Sequence, residues 1–157
     1  MQYSKSILLY QDKPTYGLLL KLILIIPAAF LAGSLYFYLS GDVSGSLALL
    51  PGALICGLIF WFVFPREYQV YDDHLCIALG RPFSVKVRFQ NVKTVRITNQ
   101  TGVTINFVTR ITRNYVEIVR KRGWSIAITP TSSDTFVENA NRALEQWVRT
   151  QHEMGVT

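Results

Sequence analysis

The residues of this sequence that could do acid–base or metal chemistry are few and far apart. His74 and His152 have no cysteine, carboxylate or second histidine at the spacing of a metal site. Asp72 and Asp73 are typical of a turn, and adjacent residues of a strand point to opposite faces. No nucleophile elbow, phosphate loop or dinucleotide motif is present in the sequence. We therefore expect a protein that is not an enzyme and has no catalytic residues, metal, cofactor or small-molecule substrate.

A basic cluster beside an aromatic residue is the sharpest local feature. It lies in a predicted hairpin turn, "RKRG", which a tryptophan follows, and a second loop, "TRITR", extends it. Such a surface suits anionic lipid headgroups, at about 1 kcal/mol for each basic residue near the membrane, or an acidic protein partner. An ordinary solvated turn is the alternative. The candidate lipid- or partner-binding residues are Arg110, Arg113, Arg120, Lys121, Arg122 and Trp124.

Charge is distributed unevenly along the 157 residues. Half of the residues are hydrophobic and 17% are charged, against about 25% in an average soluble domain. Between Tyr16 and Pro65 the only charged residues are Lys21 and Asp42. Residues 66–157 carry most of the net charge of +6. A basic region beside an apolar one favours an anionic lipid surface as its partner.

Two apolar stretches fill the region that lacks charge. Residues 17–39 would extend about 34 Å as a helix and residues 46–64 about 28 Å, which is enough to cross a bilayer. The Gly/Ser-rich segment between them predicts a turn, so we expect a transmembrane helical hairpin over residues 16–65. The first stretch is longer than the apolar core of a signal peptide and a second follows directly, so we expect no cleavage. Pairs of small residues predict close helix packing: Ala29 with Gly33, and Ala53 with Gly57.

The positive charges predict the orientation of this hairpin. Lys5, Lys13 and Lys21 precede or open the first span, Arg66 closes the second, and the turn has no Lys or Arg. Positive residues favour the cytoplasmic side. We therefore expect a multi-pass protein of the cytoplasmic (inner) membrane with both termini in the cytoplasm. Residues 1–15 would form a cytoplasmic N-terminal segment, and the sequence leaves open whether they add a strand to the domain that follows.

After Pro65 the apolar residues alternate with period two, which predicts strands. Seven short runs lie between turn signals, at residues 66–71, 74–80, 83–89, 93–98, 103–107, 114–119 and 124–129. The aromatic residues Phe83, Phe89 and Phe107 fit the inward register of these strands. Because single-stranded nucleic acid needs exposed aromatic residues among basic ones, we expect no nucleic-acid binding.

The last part of the chain has helical periodicity. "TSSD" predicts a helix N-terminus, and an apolar stripe follows at Phe136, Ala140, Ala143, Leu144 and Trp147, with Asn141 on the outer face. The expected fold is therefore α+β. The helical hairpin leads into a small antiparallel β-barrel or sandwich over residues 66–150, which the C-terminal amphipathic helix caps, and residues 151–157 form a tail.

Residues 66–97 and 116–144 resemble the bacterial pleckstrin-homology (PH)-like domains. The matching features are a Y-x-V strand into a D-x-L turn, a G-R-P turn, an N-V-x-x-V step and an I-x-I-T-P strand that leads into the helix. The resemblance covers about residues 66–150 and implies seven strands capped by a helix, often in an oligomer, with no known chemistry. The layout is also similar to that of the photosystem I assembly factor of cyanobacteria and chloroplasts, which points to assembly work.

Together these features favour a membrane-anchored, cytoplasm-facing PH-like module that acts as a non-catalytic scaffold or assembly factor. Its expected partners are membrane lipids and other membrane proteins or further copies of itself. A small accessory or structural subunit of a larger membrane protein complex is the alternative.

Overall fold

The computed structural model of the protein describes residues 6–23, 25–99, 104–110, 112, 114–153 and 155. Within these ranges the elements are, in chain order, β1 (Leu8–Asp12), α1 (Leu18–Ile23), α2 (Ile25–Leu39), α3 (Val43–Val63), β2 (Glu67–Tyr71), β3 (His74–Ala78), β4 (Ser84–Arg88), β5 (Val92–Thr98), β6 (Thr104–Phe107), β7 (Tyr115–Arg120), β8 (Ser125–Ile128) and α4 (Ser133–Glu153). A single 3-10 turn at Phe89–Asn91 joins β4 to β5.

The apolar helices α2 and α3 lie side by side. The carboxylate of Asp42 accepts a hydrogen bond from the Gly45 N–H at 2.9 Å and so caps the start of α3. Ser34 Oγ donates to the carbonyl of Ser46 at 3.0 Å across the pair. The segments Leu20–Leu39 and Val43–Val63 are long and apolar enough to cross a membrane. In the most apolar stretch of each segment, 6% of the residues are buried. Most residues of these two segments are therefore not buried by the described chain.

The eight described strands form two four-stranded sheets, in the orders β1-β2-β3-β4 and β5-β7-β8-β6. Pairing in the first sheet is antiparallel, whereas β6 runs parallel to β8 in the second. The apolar faces of both sheets and of α4 form one core, in which Tyr68, Phe89 and Phe136 are among the largest fully buried side chains.

The predicted α+β class and the two apolar helices are confirmed. Of the predicted antiparallel barrel or sandwich, the closed barrel and the fully antiparallel pairing are wrong. Among the described strands the two sheets stay separate and do not close into a barrel. The alternation of apolar residues shows which face of a strand is buried, but it carries no information on the direction of the neighbouring strand. The parallel pairing of β6 with β8 could therefore not be predicted from the alternation of apolar residues.

Residues 8–12 form the edge strand of the first sheet, which answers the question that the sequence leaves open. Leu8 pairs with Tyr71, and Asp12 pairs with Tyr68. Because β1 precedes the helices and β2 follows them, the helical pair is inserted between two neighbouring strands of one sheet.

The short connection from β1 to α1 is attached to the second sheet as well. The Thr15 N–H donates to the carbonyl of Thr129 at 3.1 Å, and the Gly17 N–H donates to the carbonyl of Thr109 at 2.9 Å. The first helix therefore starts at a fixed position against both sheets.

The helix α4 covers the core with the predicted apolar stripe. Phe136, Ala140, Ala143 and Leu144 are buried, and Trp147 packs on the core. The predicted outward position of Asn141 is wrong. Its side-chain amide bonds the backbone of β5, since Nδ2 donates to the carbonyl of Val95 at 2.8 Å and Oδ1 accepts from the Val95 N–H at 3.1 Å.

Candidate functional site

The junction between α3 and the sheets is tightly packed. Arg66 places its guanidinium 4.0 Å from the ring centroid of Trp61, a cation–π contact. Trp61 Nε1 donates to the carbonyl of Arg81 at 3.5 Å, in the turn between β3 and β4. A Cβ added at Gly80 would overlap the carbonyl of Trp61. This turn therefore needs glycine to approach the end of the helix so closely.

Phe83 belongs to this junction and not to the core. Its side chain is 53% exposed, and its ring meets that of Phe62 edge-on at 5.1 Å between centroids. The prediction that Phe83 points inward is wrong, because alternation cannot distinguish a residue that faces the core from one that faces a neighbouring helix.

The strands run between a helix-facing end and a distal end. β2 starts shortly after α3 and reaches the Asp72–Asp73 turn. β8 ends at Ile128, and the next residue, Thr129, accepts a hydrogen bond from Thr15 beside the start of α1. The turn that precedes β8 must therefore lie at the distal end. β7 joins the two ends over about 17 Å, at 3.3 Å per residue.

The structure separates the predicted basic residues into two groups. Arg110 lies at the helix-facing end, next to Thr109 and thus close to Gly17. The other predicted candidates that the structure describes lie together at the end of β7 and in the distal turn that follows it. They are Arg120, Lys121, Arg122 and Trp124. The predicted candidate Arg113 lies outside the described residues.

The distal turn presents Lys121 and Arg122 to solvent, whereas Arg120 is half-buried. The Lys121 N–H donates to the carbonyl of Asn91 at 2.7 Å, and Gly123 has a φ of 81°, which suits glycine in a turn. Lys121 and Arg122 are exposed, and Trp124 is 62% exposed. We call this surface the distal hairpin.

A cavity of about 650 Å³ lies at the helix-facing end, between the start of α1 and the outer face of the second sheet. Gly17, Leu18 and Leu20 contribute its helical side. The strands and the loop before β7 contribute the remainder, with Asn106, Val108, Thr109, Arg110, Thr112, Tyr115 and Ala127. Burial raises the pKa of the Tyr115 phenol, and the nearby Glu117 raises it further.

Arg110 is the basic residue of this cavity. Among the described residues its Nε has no hydrogen-bond partner, although the atom is shielded from solvent. Such a donor costs about 1–3 kcal/mol when nothing accepts its hydrogen bond, and more when it is charged. The Nε of Arg120 at the other end of the sheets is likewise shielded and without a partner among the described residues, so the contribution of Arg110 to the cavity is its positive charge.

His74 and the neighbouring Asp73 have structural contacts. His74 is buried, stacks on Tyr71 and forms a hydrogen bond with the carboxylate of Asp73. Burial would raise the pKa of the Asp73 carboxyl, but hydrogen bonds with His74 and Ser6 hold it below its usual value. In the part of the chain that the structure describes, no group of three His, Cys, Asp or Glu residues could hold a metal ion.

The predicted helix-packing residues also separate into two groups. Ala53 is 3% exposed, and a Cβ at Gly33 would lie 3.1 Å from the Leu49 side chain, so these two positions pack between the helices. Ala29 is exposed, and a Cβ at Gly57 would meet no atom within 4 Å.

Sequence reasoning missed the cavity because its walls come from distant segments. The start of α1 and the segment after β6 are brought together by the hydrogen bond from the Gly17 N–H to the carbonyl of Thr109 and by that from Thr109 Oγ1 to the carbonyl of Thr15. The local signals were the predicted Arg110 and a glycine at the head of an apolar helix, and neither is specific for a cavity. Comparison of the chain with protein-family models, with curated proteins and with solved structures finds no match.

Proposed function

We propose that the protein is a multi-pass protein of the cytoplasmic membrane that holds a non-catalytic, PH-like scaffold or assembly module against the inner leaflet. The observation that carries this proposal is the pairing of β1 with β2. These strands flank the helical pair, so both ends of the pair enter the same sheet. A helical pair of this kind crosses a bilayer twice and leaves the sheets on one side.

The exposed apolar surface of α2 and α3 supports the membrane placement. Most residues of a core helix in a soluble protein are buried, whereas 6% of the residues are buried in the most apolar stretch of each of these segments. Water would solvate such a surface at a large cost, of about 25 cal/mol for each Å². A bilayer removes this cost, because helices satisfy their own backbone hydrogen bonds in lipid.

The distribution of charge supports a cytoplasmic position of the sheets. Lys13, Lys21 and Arg66 flank the ends of the helices that meet the sheets, and residues 40–45 of the opposite turn have no Lys or Arg. Positive residues are retained on the cytoplasmic side.

The distal hairpin supports a scaffolding role. It points away from the end that meets the membrane helices, so its exposed basic residues and tryptophan suit an acidic surface of another protein. Arginine and tryptophan are enriched where protein interfaces concentrate their binding energy. In the PH-like resemblance the turn that holds inositol phosphates corresponds to Asp72–Asp73, which is acidic and also distal. Lipid contacts are therefore assigned to the helix-facing end.

A second candidate function is that of a small accessory subunit in a larger membrane complex. The exposed position of Ala29 and the open space beside Gly57 favour it, because small residues let a helix of another protein approach closely. The two candidates share the same membrane placement.

Cysteine labelling tests the membrane placement. In a background with Cys56→Ala, we expect a membrane-impermeant maleimide to modify Ser44→Cys in intact spheroplasts, since Ser44 is exposed in the first turn of α3. Lys121→Cys should react only after permeabilisation, because the distal hairpin would lie in the cytoplasm.

Labelling of both variants in detergent is the control for reactivity. Modification of Lys121→Cys in intact spheroplasts would reverse the orientation. Release of the protein from membranes by a carbonate wash would contradict the membrane placement itself.

A further inference from the structure

We infer that the cavity at the helix-facing end binds one anionic phospholipid of the inner leaflet, with its phosphate at Arg110 and an acyl chain along Leu18 and Leu20. This inference rests on the proposed membrane placement and assigns a ligand to it.

The position of the cavity matches the depth of a lipid headgroup. α1 begins at Leu18, directly after Gly17 is bonded to Thr109. The cavity therefore opens where the apolar helix emerges from the sheets. In the proposed membrane placement this level is the boundary between acyl chains and headgroups.

The polar residues of the cavity can bind a phosphate. Arg110 lines the cavity and brings a positive charge to it, and a guanidinium group matches the geometry of phosphate oxygens. The hydroxyl of Thr112 and the amide of Asn106 supply neutral donors. None of the described residues that line the cavity is acidic, so an anion meets no opposing charge there.

The apolar residues favour a lipid over free phosphate. Val108 and Ala127 contribute to the sheet side, and Leu18 and Leu20 belong to the apolar helix. Leu18 is 75% exposed, so a hydrocarbon chain beside it would cover surface that the protein leaves open. The volume of about 650 Å³ lies within the range of roughly 300–1,000 Å³ for small-molecule sites.

The surrounding charges favour an anionic lipid over a zwitterionic one. Lys21 is the residue after Leu20 in the chain. Arg66 and Leu20 both line a neighbouring cavity between the helices. Basic residues at this level attract anionic headgroups, and they repel the choline group of phosphatidylcholine.

Native mass spectrometry of the full-length protein in mild detergent tests the inference. Phosphatidylglycerol and phosphatidylcholine are titrated separately, and the apparent Kd of the first bound lipid is measured. We expect phosphatidylglycerol to bind more tightly, and Arg110→Gln to weaken it roughly tenfold or more. Arg122→Gln, which removes the same charge from the distal hairpin, should leave the Kd unchanged.

A second variant and a competitor separate the lipid from its phosphate. Leu18→Ser changes an exposed side chain and is expected to weaken long-chain phosphatidylglycerol more than a short-chain form. Inorganic phosphate at millimolar concentration should not displace the lipid. Displacement by phosphate would assign the site to the free anion and overturn the lipid assignment.

Two other outcomes would also overturn the inference. Equal affinity of wild-type protein and Arg110→Gln for phosphatidylglycerol would remove the cavity as the site. Loss of binding in Arg122→Gln alone would move the lipid to the distal hairpin. In either case the maleimide labelling pattern would still stand, so failure of the lipid site and failure of the membrane placement are distinguishable.

Discussion

Asn141 shows how one side chain protects the open edge of a sheet. β5 is an edge strand of the second sheet, and edge strands carry unpaired backbone groups that invite other chains. The amide of Asn141 donates to and accepts from the backbone of Val95. A polar residue at the border of an apolar helical stripe is ordinary in sequence, so this role depends on where α4 lies and cannot be seen in the helix alone.

The free energy of unfolding depends on the protonation of Tyr68 at alkaline pH. Burial raises the pKa of its phenol from 10.0 to about 12, while hydrogen bonds with Thr129 and Thr109 oppose the rise. The folded state therefore keeps the proton that the unfolded state loses near pH 10. The stabilisation is complete below pH 10 and is lost as pH rises towards 12.

We expect the free energy of unfolding to fall by about 3 kcal/mol between pH 10 and pH 12 through this residue. Tyr68→Phe should lose this part of the pH dependence, measured by denaturant unfolding in detergent with tryptophan fluorescence. Tyr38→Phe, at an exposed side chain, is the matched control. An identical pH dependence in wild-type protein and Tyr68→Phe would contradict the assignment.

At the scale of elements, the turn between β3 and β4 holds the sheets against α3. We expect Gly80→Ala to push this turn away from the Trp61 carbonyl, which a Cβ would overlap, and to destabilise the protein by about 1–3 kcal/mol. Trypsin should then cleave faster after Arg66, because the junction that orders this residue is loosened.

Gly57→Ala is the control for Gly80→Ala, since its added methyl group meets no atom within 4 Å. A thermal midpoint and a cleavage rate unchanged in Gly80→Ala would show that the turn is not attached to the helix in this way.

The elements differ in how far the sequence could predict them. Strand-like runs, the apolar stripe of α4 and the two apolar helices follow from local periodicity, and the structure contains all of them. The pairing of β1, the direction of β6 and the contact of Phe83 with α3 depend on residues far apart in the chain. Arg110 was predicted as a binding residue, but its separation from the distal hairpin became visible only with the strand directions.

At the scale of the whole molecule, the proposed lipid-binding cavity and the proposed partner-binding distal hairpin lie at opposite ends of the sheets. We expect Lys121→Glu combined with Arg122→Glu to release co-purifying proteins from the detergent-extracted full-length protein, while its thermal midpoint and its membrane fraction stay unchanged. Opposite charge on the distal hairpin repels an acidic partner.

Lys86→Glu combined with Arg88→Glu is the matched control, because both residues are exposed on the first sheet. Retention of the same proteins by the distal double variant would exclude the distal hairpin as their contact. A scaffold should in addition remain folded when expressed alone, whereas a subunit should lose stability without its complex.

In the proposed membrane placement, the insertion of the apolar helices between β1 and β2 also determines the order of events during synthesis. β1 leaves the ribosome first, yet its partner strand follows only after both apolar helices have been made. At about 5–20 residues per second this delay lasts several seconds. For that time β1 would stay at the membrane surface without its partner strand. We therefore expect the first sheet to form only in molecules whose helical pair has been inserted into the membrane with both ends on the same side.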